Sequence, residues 1–199
     1  LTVQLKQHQN FGPSQIRLQV VSDKIIRVQA TAEQSFRNKQ SLIIVPQNSK
    51  ANYKVEEQGD NLIITTAAMR AVMNEATGQI TFYDLKDNVL LNEVAQGGKT
   101  FKPFTVPDRE MGIDIAKVPE AQKHGWSWRA LFNSPDNEAF YGLGQHQSEE
   151  LNMKGKNEDL FQYNTKVSVP FVISNKNYGI LWDSYSYCRW GNPEDYLQL

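Results

Sequence analysis

The chain has 199 residues, a formal net charge of −1, 40% hydrophobic residues and 22% charged residues. This composition is typical of a globular protein, and the near-neutral charge disfavours nucleic acid and anionic membrane as partners. No apolar run reaches the length that a transmembrane helix needs. The single Cys188 excludes an intrachain disulfide framework and a metal site of several cysteines. These counts leave the compartment open, and we expect a periplasmic or extracellular location rather than a cytoplasmic one.

Short strands with a period of two dominate the first third of the chain. Ile16, Leu18 and Val20 alternate with polar neighbours, which is typical of a half-buried strand in an antiparallel sheet. The continuous apolar run at residues 42–45 is ended by Pro46 and predicts a buried or edge strand.

Turn residues then separate the strands of successive hairpins. Glycine, asparagine and aspartate supply the backbone conformations that tight turns need, and they recur here between apolar runs. The predicted turns lie at residues 59–61, 74–78 and 86–88. They connect predicted strands at residues 53–56, 62–66, 69–73, 79–83 and 89–91. No stretch has a helical period for longer than a turn or two.

Residues 95–125 contain glycines and prolines that interrupt any long element, and the pattern there is the least informative in the chain. Alternation returns at residues 126–132 and predicts a strand that contains Trp126 and Trp128. Short strands with frequent turns and no internal repeat favour an all-β fold, a two-sheet antiparallel β-sandwich. We therefore interpret residues 1–199 as a single domain.

The most informative stretch runs from residue 138 to residue 183. An aromatic strand enters the bend Gly142-Leu143-Gly144, where missing side chains permit positive φ and close backbone approach. A polar loop at residues 147–164 follows, and two apolar strands then return. Loops of this length in compact domains tend to be functional or disordered. Held between rigid strands, this loop is the best candidate for a binding surface.

Four ordered motifs of this stretch resemble glycoside hydrolase family 31, the α-glucosidases and α-xylosidases. They are Phe-Tyr-Gly-Leu-Gly (140–144), Leu-Asn-x-x-Gly (151–155), Pro-Phe-x-Ile-Ser (170–174) and Tyr-Gly-Ile (178–180). In that family these motifs occur in this order at the end of an N-terminal β-sandwich. The strand at residues 24–28 is similar to an early strand of the same sandwich. The resemblance implies a galactose-mutarotase-like sandwich.

The resemblance also implies that the chain is the non-catalytic N-terminal domain of a retaining α-glycosidase. Its work would be to buttress a catalytic barrel, the missing part of the same chain. Residues 189–196 are similar to the junction of α-xylosidases that carry an extra sugar-binding insertion, so residues 189–199 are expected to begin the junction to downstream domains. This similarity favours an α-xylosidase over an α-glucosidase.

The loop at residues 147–164 is expected to help form the substrate pocket, and the expected ligand is an α-xyloside or α-glucoside. Planar polar groups and one aromatic face, which suit a sugar, are present in it. The resemblance implies a pocket role for Asn152, Lys154 and Asn164, and the side-chain chemistry adds Asn157 and Tyr163 as substrate-binding candidates. The alternative is that the charged residues are merely solvated and that residues 164–165 cap a strand end. Gln145 replaces a glutamate that is common in the family, which puts a polar contact there in doubt.

No catalytic residue is assigned, because glycoside hydrolysis usually needs two carboxyl groups that flank the scissile bond. The pairs at residues 149–150 and 158–159 are adjacent in sequence and cannot clasp a sugar ring. No cofactor is expected. His8, His124 and His146 lack the spacing of a metal site, so no metal is expected either.

Two alternative functions stay open. One is a free-standing carbohydrate-binding module with exposed tryptophans, although core packing is expected for most of them and Trp190 is the best candidate for exposure. The other is an aldose-epimerase-like enzyme, in which His146 with Glu149 would act on a sugar anomeric centre.

Overall fold

The computed structural model describes residues 1–6, 10–37, 40–45, 51–96, 98–106, 114–147 and 150–191. These residues form sixteen antiparallel strands, one 3-10 turn at Ile115–Lys117 and one four-residue α-helix, α1, at Glu120–Lys123. The strands are β1 Thr2–Gln4, β2 Gln15–Ser22, β3 Ile25–Thr31, β4 Tyr53–Gln58, β5 Asn61–Thr66, β6 Met69–Asn74, β7 Ile80–Asp84, β8 Val89–Glu93, β9 Lys99–Thr105, β10 His124–Ala130, β11 Phe132–Asn133, β12 Phe140–Gln145, β13 Glu158–Leu160, β14 Val167–Ser174, β15 Tyr178–Leu181 and β16 Cys188–Trp190. The predicted all-β antiparallel fold is confirmed.

The chain divides into two compact units. The first comprises Leu1–Asn38 and Gln47–Asn133, and the second comprises Lys39–Pro46 and Ser134–Leu199. The strands belong to five sheets within these units rather than to two continuous ones. The interpretation of the whole chain as a single domain stays a prediction.

The first unit contains a two-layer sandwich. One layer is the sheet β1-β2-β3 and the other is the six-stranded sheet β11-β8-β7-β6-β5-β4. Ile16 and Leu18 of the first layer pack with Ile64, Met73 and Ile80 of the second, and all five are almost fully buried. Alternate residues of β2 are buried, as the period of two predicted, and those of β5 are buried in the same way, because successive side chains of a strand point to opposite faces.

The second unit contains the sheet β12-β14-β15 and the ribbon β13-β16. Its core is formed by Phe140, Leu143, Met153, Leu160 and Val172. Only one face of the three-stranded sheet contributes to this core, because the alternate residues of β14 at 167, 169, 171 and 173 are exposed.

Three predicted hairpins are confirmed. Strands β4 to β8 pair in succession, and three of the four turns between them overlap the predicted residues. Gly59 has φ +61° and Asp87 has φ +65°, which is the left-handed conformation that such turns use. The prediction of no long helix is also confirmed within the described residues.

The strand predicted at residues 42–45 is wrong. Leu42 and Val45 are exposed, and no strand forms there. The Ser41 hydroxyl accepts hydrogen bonds from the backbone N–H groups of Ile43 and Ile44, at 3.2 and 3.0 Å. These local bonds replace a strand ladder, as serine side chains often do.

Strand β9 was not predicted, because Pro103 and the neighbouring prolines indicated a broken segment. Pro103 lies opposite Trp126 in the two-stranded ribbon β9-β10. An edge strand tolerates proline because one side of the strand needs no ladder hydrogen bond. None of the helices in the described part of the chain has the length and apolarity to cross a membrane.

Candidate functional site

A bulge at Gly142-Leu143-Gly144 interrupts β12 shortly before the candidate loop begins. Gly142 pairs with Val172 but Gly144 pairs with Ser168, so the register shifts at Leu143. The three residues have φ values of +135°, +70° and +98°, and the Leu143 side chain is fully buried. The bulge therefore sets the register of the last two residues of β12, Gly144 and Gln145, after which the chain leaves the sheet.

Three charged or polar side chains meet beneath the two ends of the loop. His146 Nδ1 lies 3.0 Å from Glu158 Oε1, without the alignment of a hydrogen bond, and His146 Nε2 lies 2.7 Å from the carbonyl oxygen of Leu143. Lys166 Nζ contacts both the Glu158 carboxylate and the carbonyl oxygen of Asp159. We call His146, Glu158 and Lys166 the ionic cluster. It joins the segment after β12 to β13 and to the start of β14.

The ionic cluster is largely buried, which bears on the epimerase alternative. The side chains of His146 and Lys166 are only 6% and 8% exposed. An imidazole that acts on a sugar must reach the sugar, and this one faces a carboxylate and a backbone carbonyl instead. His146 does lie beside a carboxylate, but it is that of Glu158. Glu149, the predicted partner, lies outside the described residues, as does His8.

An open pocket of about 460 Å³ lies next to the ionic cluster. Its lining combines three exposed aromatic rings with amide, carboxylate and ammonium groups. The lining residues are Asn157, Glu158, Asp159, Phe161, Tyr163, Lys166 and Tyr187. We call this the loop pocket.

The aromatic rings of the loop pocket are held near one another. The Phe161 ring centroid lies 6.1 Å from that of Tyr163 and 6.5 Å from that of Tyr187. The Tyr187 hydroxyl donates a hydrogen bond to Asp159 Oδ1 at 2.6 Å and accepts one from Arg189 Nε at 2.8 Å. Partial burial and then the Asp159 carboxylate raise the pKa of Tyr187, so its hydroxyl stays a hydrogen-bond donor at neutral pH.

The loop pocket is suited to binding rather than to hydrolysis. Ring faces and planar polar groups can hold a polyhydroxylated ligand. Its two carboxylates are each engaged by cations, Glu158 by Lys166 and Asp159 by Arg189 at 3.2 Å. The two carboxylates are therefore not arranged as a general acid and a nucleophile on opposite sides of a bound ligand.

The structure brings two of the five predicted substrate-binding residues together in the loop pocket. They are Asn157 and Tyr163. Asn164 is exposed in the turn that connects the bridged residues Tyr163 and Lys166. Phe161, Lys166 and Tyr187 were not predicted, because they are separated in sequence and share no motif.

Asn152 and Lys154 serve the loop's own structure. Asn152 Oδ1 accepts hydrogen bonds from the backbone N–H groups of Phe140 and Lys154, both at 3.0 Å. Lys154 Nζ contacts the carbonyl oxygen of Pro135. These contacts tie the loop to the start of β12. Substrate binding stays a prediction for all five residues, which are Asn152, Lys154, Asn157, Tyr163 and Asn164.

The tryptophans are distributed differently from the prediction. Trp126 and Trp128 are exposed, whereas Trp182 and Trp190 are half-buried and stacked, with centroids 6.1 Å apart and planes inclined by 12°. The prediction that Trp190 is the most exposed is wrong. Its indole packs edge-on against Phe140 at 5.1 Å and donates a hydrogen bond to the carbonyl oxygen of Met153.

Within the described residues, no group of three or more histidine, cysteine, aspartate or glutamate side chains could hold a metal ion.

Comparison with known proteins gives a consistent result. Residues 15–190 match the family described as the glycosyl hydrolase 31 N-terminal galactose mutarotase-like domain. The chain is 26% identical over 177 residues to an alpha-xylosidase of Saccharolobus solfataricus, covering 88% of this chain and 23% of that protein.

Solved structures are similar as well. A GH31 alpha-xylosidase from Xanthomonas citri superposes with a TM-score of 0.83 at 37% identity, covering 97% of this chain and 19% of that one. A GH31 alpha-xylosidase from a soil metagenome, complexed with xylose, superposes with a TM-score of 0.70 at 25% identity, covering 91% and 27%. The chain thus spans about a quarter of the length of the relatives it matches.

Proposed function

Because the chain belongs to the family of glycosyl hydrolase 31 N-terminal galactose mutarotase-like domains, as its motifs predicted, we propose that it buttresses the catalytic barrel of a retaining α-glycosidase. In this proposal the loop at residues 147–164 contributes to the substrate pocket of the same enzyme. The enzyme is an α-xylosidase rather than an α-glucosidase. Two observations support that preference: the similarity to alpha-xylosidases and the junction-like sequence after residue 188.

One apolar face carries the buttressing proposal. The outer face of the sheet β12-β14-β15 presents large apolar side chains that are 38–50% exposed. They are Tyr141, Val167, Val169, Phe171, Ile173 and Leu181. Cross-strand pairing places them side by side, since Tyr141 lies opposite Ile173 and Phe171 lies opposite Leu181. We call them the outer apolar face.

A contiguous apolar patch on a folded domain usually marks an interaction surface. On β14 the exposed outer residues are apolar, while Val172 and Ser174 are buried on the inner face. Apolar residues on the outer face as well as the inner one are typical of a strand that is buried on both sides. The Phe171 ring lies against Gly179, where a Cβ would come within 3.1 Å of it. This closely packed arrangement suits a rigid neighbouring domain.

The first test compares this chain with a longer protein that joins it to the barrel. Both are assayed for hydrolysis of 4-nitrophenyl α-xyloside and 4-nitrophenyl α-glucoside. Activity only in the longer protein, with the xyloside preferred, is the expected outcome. Hydrolysis by the chain itself contradicts the proposal, and a preference for the glucoside contradicts the assigned sugar.

The second test uses a matched pair of variants. Phe171 lies on the outer apolar face and Phe132 lies in β11 of the first unit, and both are 38% exposed. Phe171→Lys and Phe132→Lys should lower the thermal stability of the 199-residue chain by similar amounts, because the two rings are equally buried. Only Phe171→Lys should cause a larger loss of stability in the longer protein than in the 199-residue chain, together with a lower kcat. Equal effects of the two variants in the longer protein would contradict a docking role for this face.

The loop pocket is tested in the longer protein by a second matched pair. Tyr163 and Tyr53 are 52% and 49% exposed, and only Tyr163 lines the loop pocket. Tyr163→Ala should raise KM for the xyloside, because an aromatic contact with the sugar is lost. Tyr53→Ala should leave KM unchanged, and an unchanged KM in Tyr163→Ala would remove the loop pocket from the substrate site.

A further inference from the structure

The ribbon β9-β10 in the first unit presents two indoles on one face. Trp126 lies opposite Pro103 and Trp128 lies opposite Phe101, so the antiparallel register places all four on the same face. Trp126 is 42% exposed and Trp128 is 49% exposed. Residues two apart in a strand are separated by about 6.7 Å, so the indoles are neighbours along the strand.

Polar groups border the indoles and are themselves held in place. The Glu33 carboxylate accepts hydrogen bonds from Arg37 at 2.5 and 3.2 Å, and its pKa is lowered first by Arg37 and to a smaller extent by the Trp126 side chain. Further along the same face, His124 Nδ1 lies 3.2 Å from Thr105 Oγ1. A surface whose side chains are already fixed loses little conformational entropy when a ligand binds.

The charges around the indoles compensate one another. Glu33 is paired with Arg37, and Glu120 is paired with Lys123 at 3.0 Å and with His124 at 2.9 Å. The surface therefore combines aromatic faces with hydrogen-bonding groups and little uncompensated charge. This combination fits a neutral polyhydroxylated ligand and disfavours a phosphate-rich one.

We propose that Trp126 and Trp128 form a stacking platform for successive pyranose rings of a neutral oligosaccharide. The C–H face of a pyranose packs on an indole, and the neighbouring groups Glu33, Thr105 and His124 can hydrogen-bond its hydroxyls. The site lies in the first unit, whereas the loop pocket lies in the second. This sugar-binding role goes beyond the proposed function, because binding at the platform requires neither hydrolysis nor a catalytic barrel.

Affinity electrophoresis of the 199-residue chain tests this site. The chain is run in native gels that contain xyloglucan, dextran or amylose, all neutral polysaccharides. We expect retardation by at least one of them, and a loss of affinity of about tenfold in Trp126→Ala and in Trp128→Ala. Phe104→Ala is the matched control, because Phe104 is 49% exposed on the opposite face of the same ribbon.

A fluorescence measurement on the unmodified chain gives an independent readout. The retarding polysaccharide should protect the exposed indoles from acrylamide quenching, and the protection should disappear in the double variant Trp126→Ala, Trp128→Ala. The proposal is overturned if none of the three polysaccharides retards the chain. It is also overturned if the double variant keeps the wild-type affinity, or if Phe104→Ala weakens binding as much as the tryptophan variants.

Discussion

Gly144→Ala should destabilise the second unit strongly, because a side chain at this position meets backbone on the adjacent strand. A Cβ would lie 2.0 Å from the carbonyl oxygen of Val167 and 3.0 Å from the backbone nitrogen of Val169. Both atoms belong to β14, so no side-chain rotation relieves the clash and the strand itself must move. The φ of +98° is a second obstacle for an L residue.

The expected size follows from these two effects. Positive φ costs an L residue about 1–2 kcal/mol, and the displacement of a packed strand adds about 1–3 kcal/mol. We therefore expect Gly144→Ala to lose about 2–5 kcal/mol of unfolding free energy. Gly155 offers the matched control, since it also has positive φ, +69°, but no atom lies within 4 Å of its Cβ position. Gly155→Ala should lose only about 1–2 kcal/mol.

Tryptophan fluorescence during urea unfolding can follow the second unit selectively. Trp182 and Trp190 are half-buried and stacked in that unit, whereas Trp126 and Trp128 in the first unit are already exposed. The change in emission on unfolding therefore comes mainly from the second unit. Equal losses in Gly144→Ala and Gly155→Ala would refute the backbone clash and the bulge geometry on which it rests.

Buried polar groups lead to two further expectations. Lys99→Met leaves the 4%-exposed Glu93 without its cation and should cost about 3–5 kcal/mol in urea unfolding. Because burial raises the pKa of Glu93 above its ordinary 4.5, protonation favours the folded state, and the loss should shrink as the pH falls from neutral toward 4.5. Tyr178→Phe removes a hydroxyl donor to the buried Glu138 and should cost about 1.5–3 kcal/mol in thermal unfolding. Burial and then Glu138 raise the pKa of Tyr178, so the unfolded chain releases this proton first, and the wild type should lose stability above pH 10.0 with a slope that Tyr178→Phe lacks.

The hairpins of the first unit could be predicted because their determinants are local. Gly59 and Asp60 form a turn, in which Gly59 adopts the positive φ of +61° that glycine permits. The apolar run at residues 62–64 then marks a strand, whereas the alternate burial of its residues is visible only in the structure. The failure at residues 42–45 has an equally specific cause. The Ser41 hydroxyl accepts the backbone N–H hydrogen bonds that a neighbouring strand would otherwise accept.

The ionic cluster could not be predicted in the same way. His146, Glu158 and Lys166 are separated by twelve and eight residues, and no helix or strand period relates them. Their approach depends on the bulge at residues 142–144 and on the pairing of β13 with β16. The glycine bend was visible in the sequence, but its consequence for the position of His146 was not.

The prediction that most of the tryptophans pack in the core failed for a related reason. Residues of a strand at spacing two share a face, but the spacing does not say whether another layer covers that face. Trp126 and Trp128 share a face as predicted, yet they belong to a two-stranded ribbon on which they stay exposed. Trp190, next to a glycine near the end of the described chain, packs on Phe140 instead.

The ionic cluster and the loop pocket explain how the loop at residues 147–164 can be held in position without supplying a catalytic group. The Glu158 carboxylate contacts His146 and Lys166, so it holds the loop in place but is not available as a general acid or nucleophile. The exposed rings of Tyr163 and Tyr187 remain for contact with a ligand. A rigid base with an open aromatic rim is what a domain needs if it is to complete a substrate pocket whose catalytic carboxylates belong to another domain.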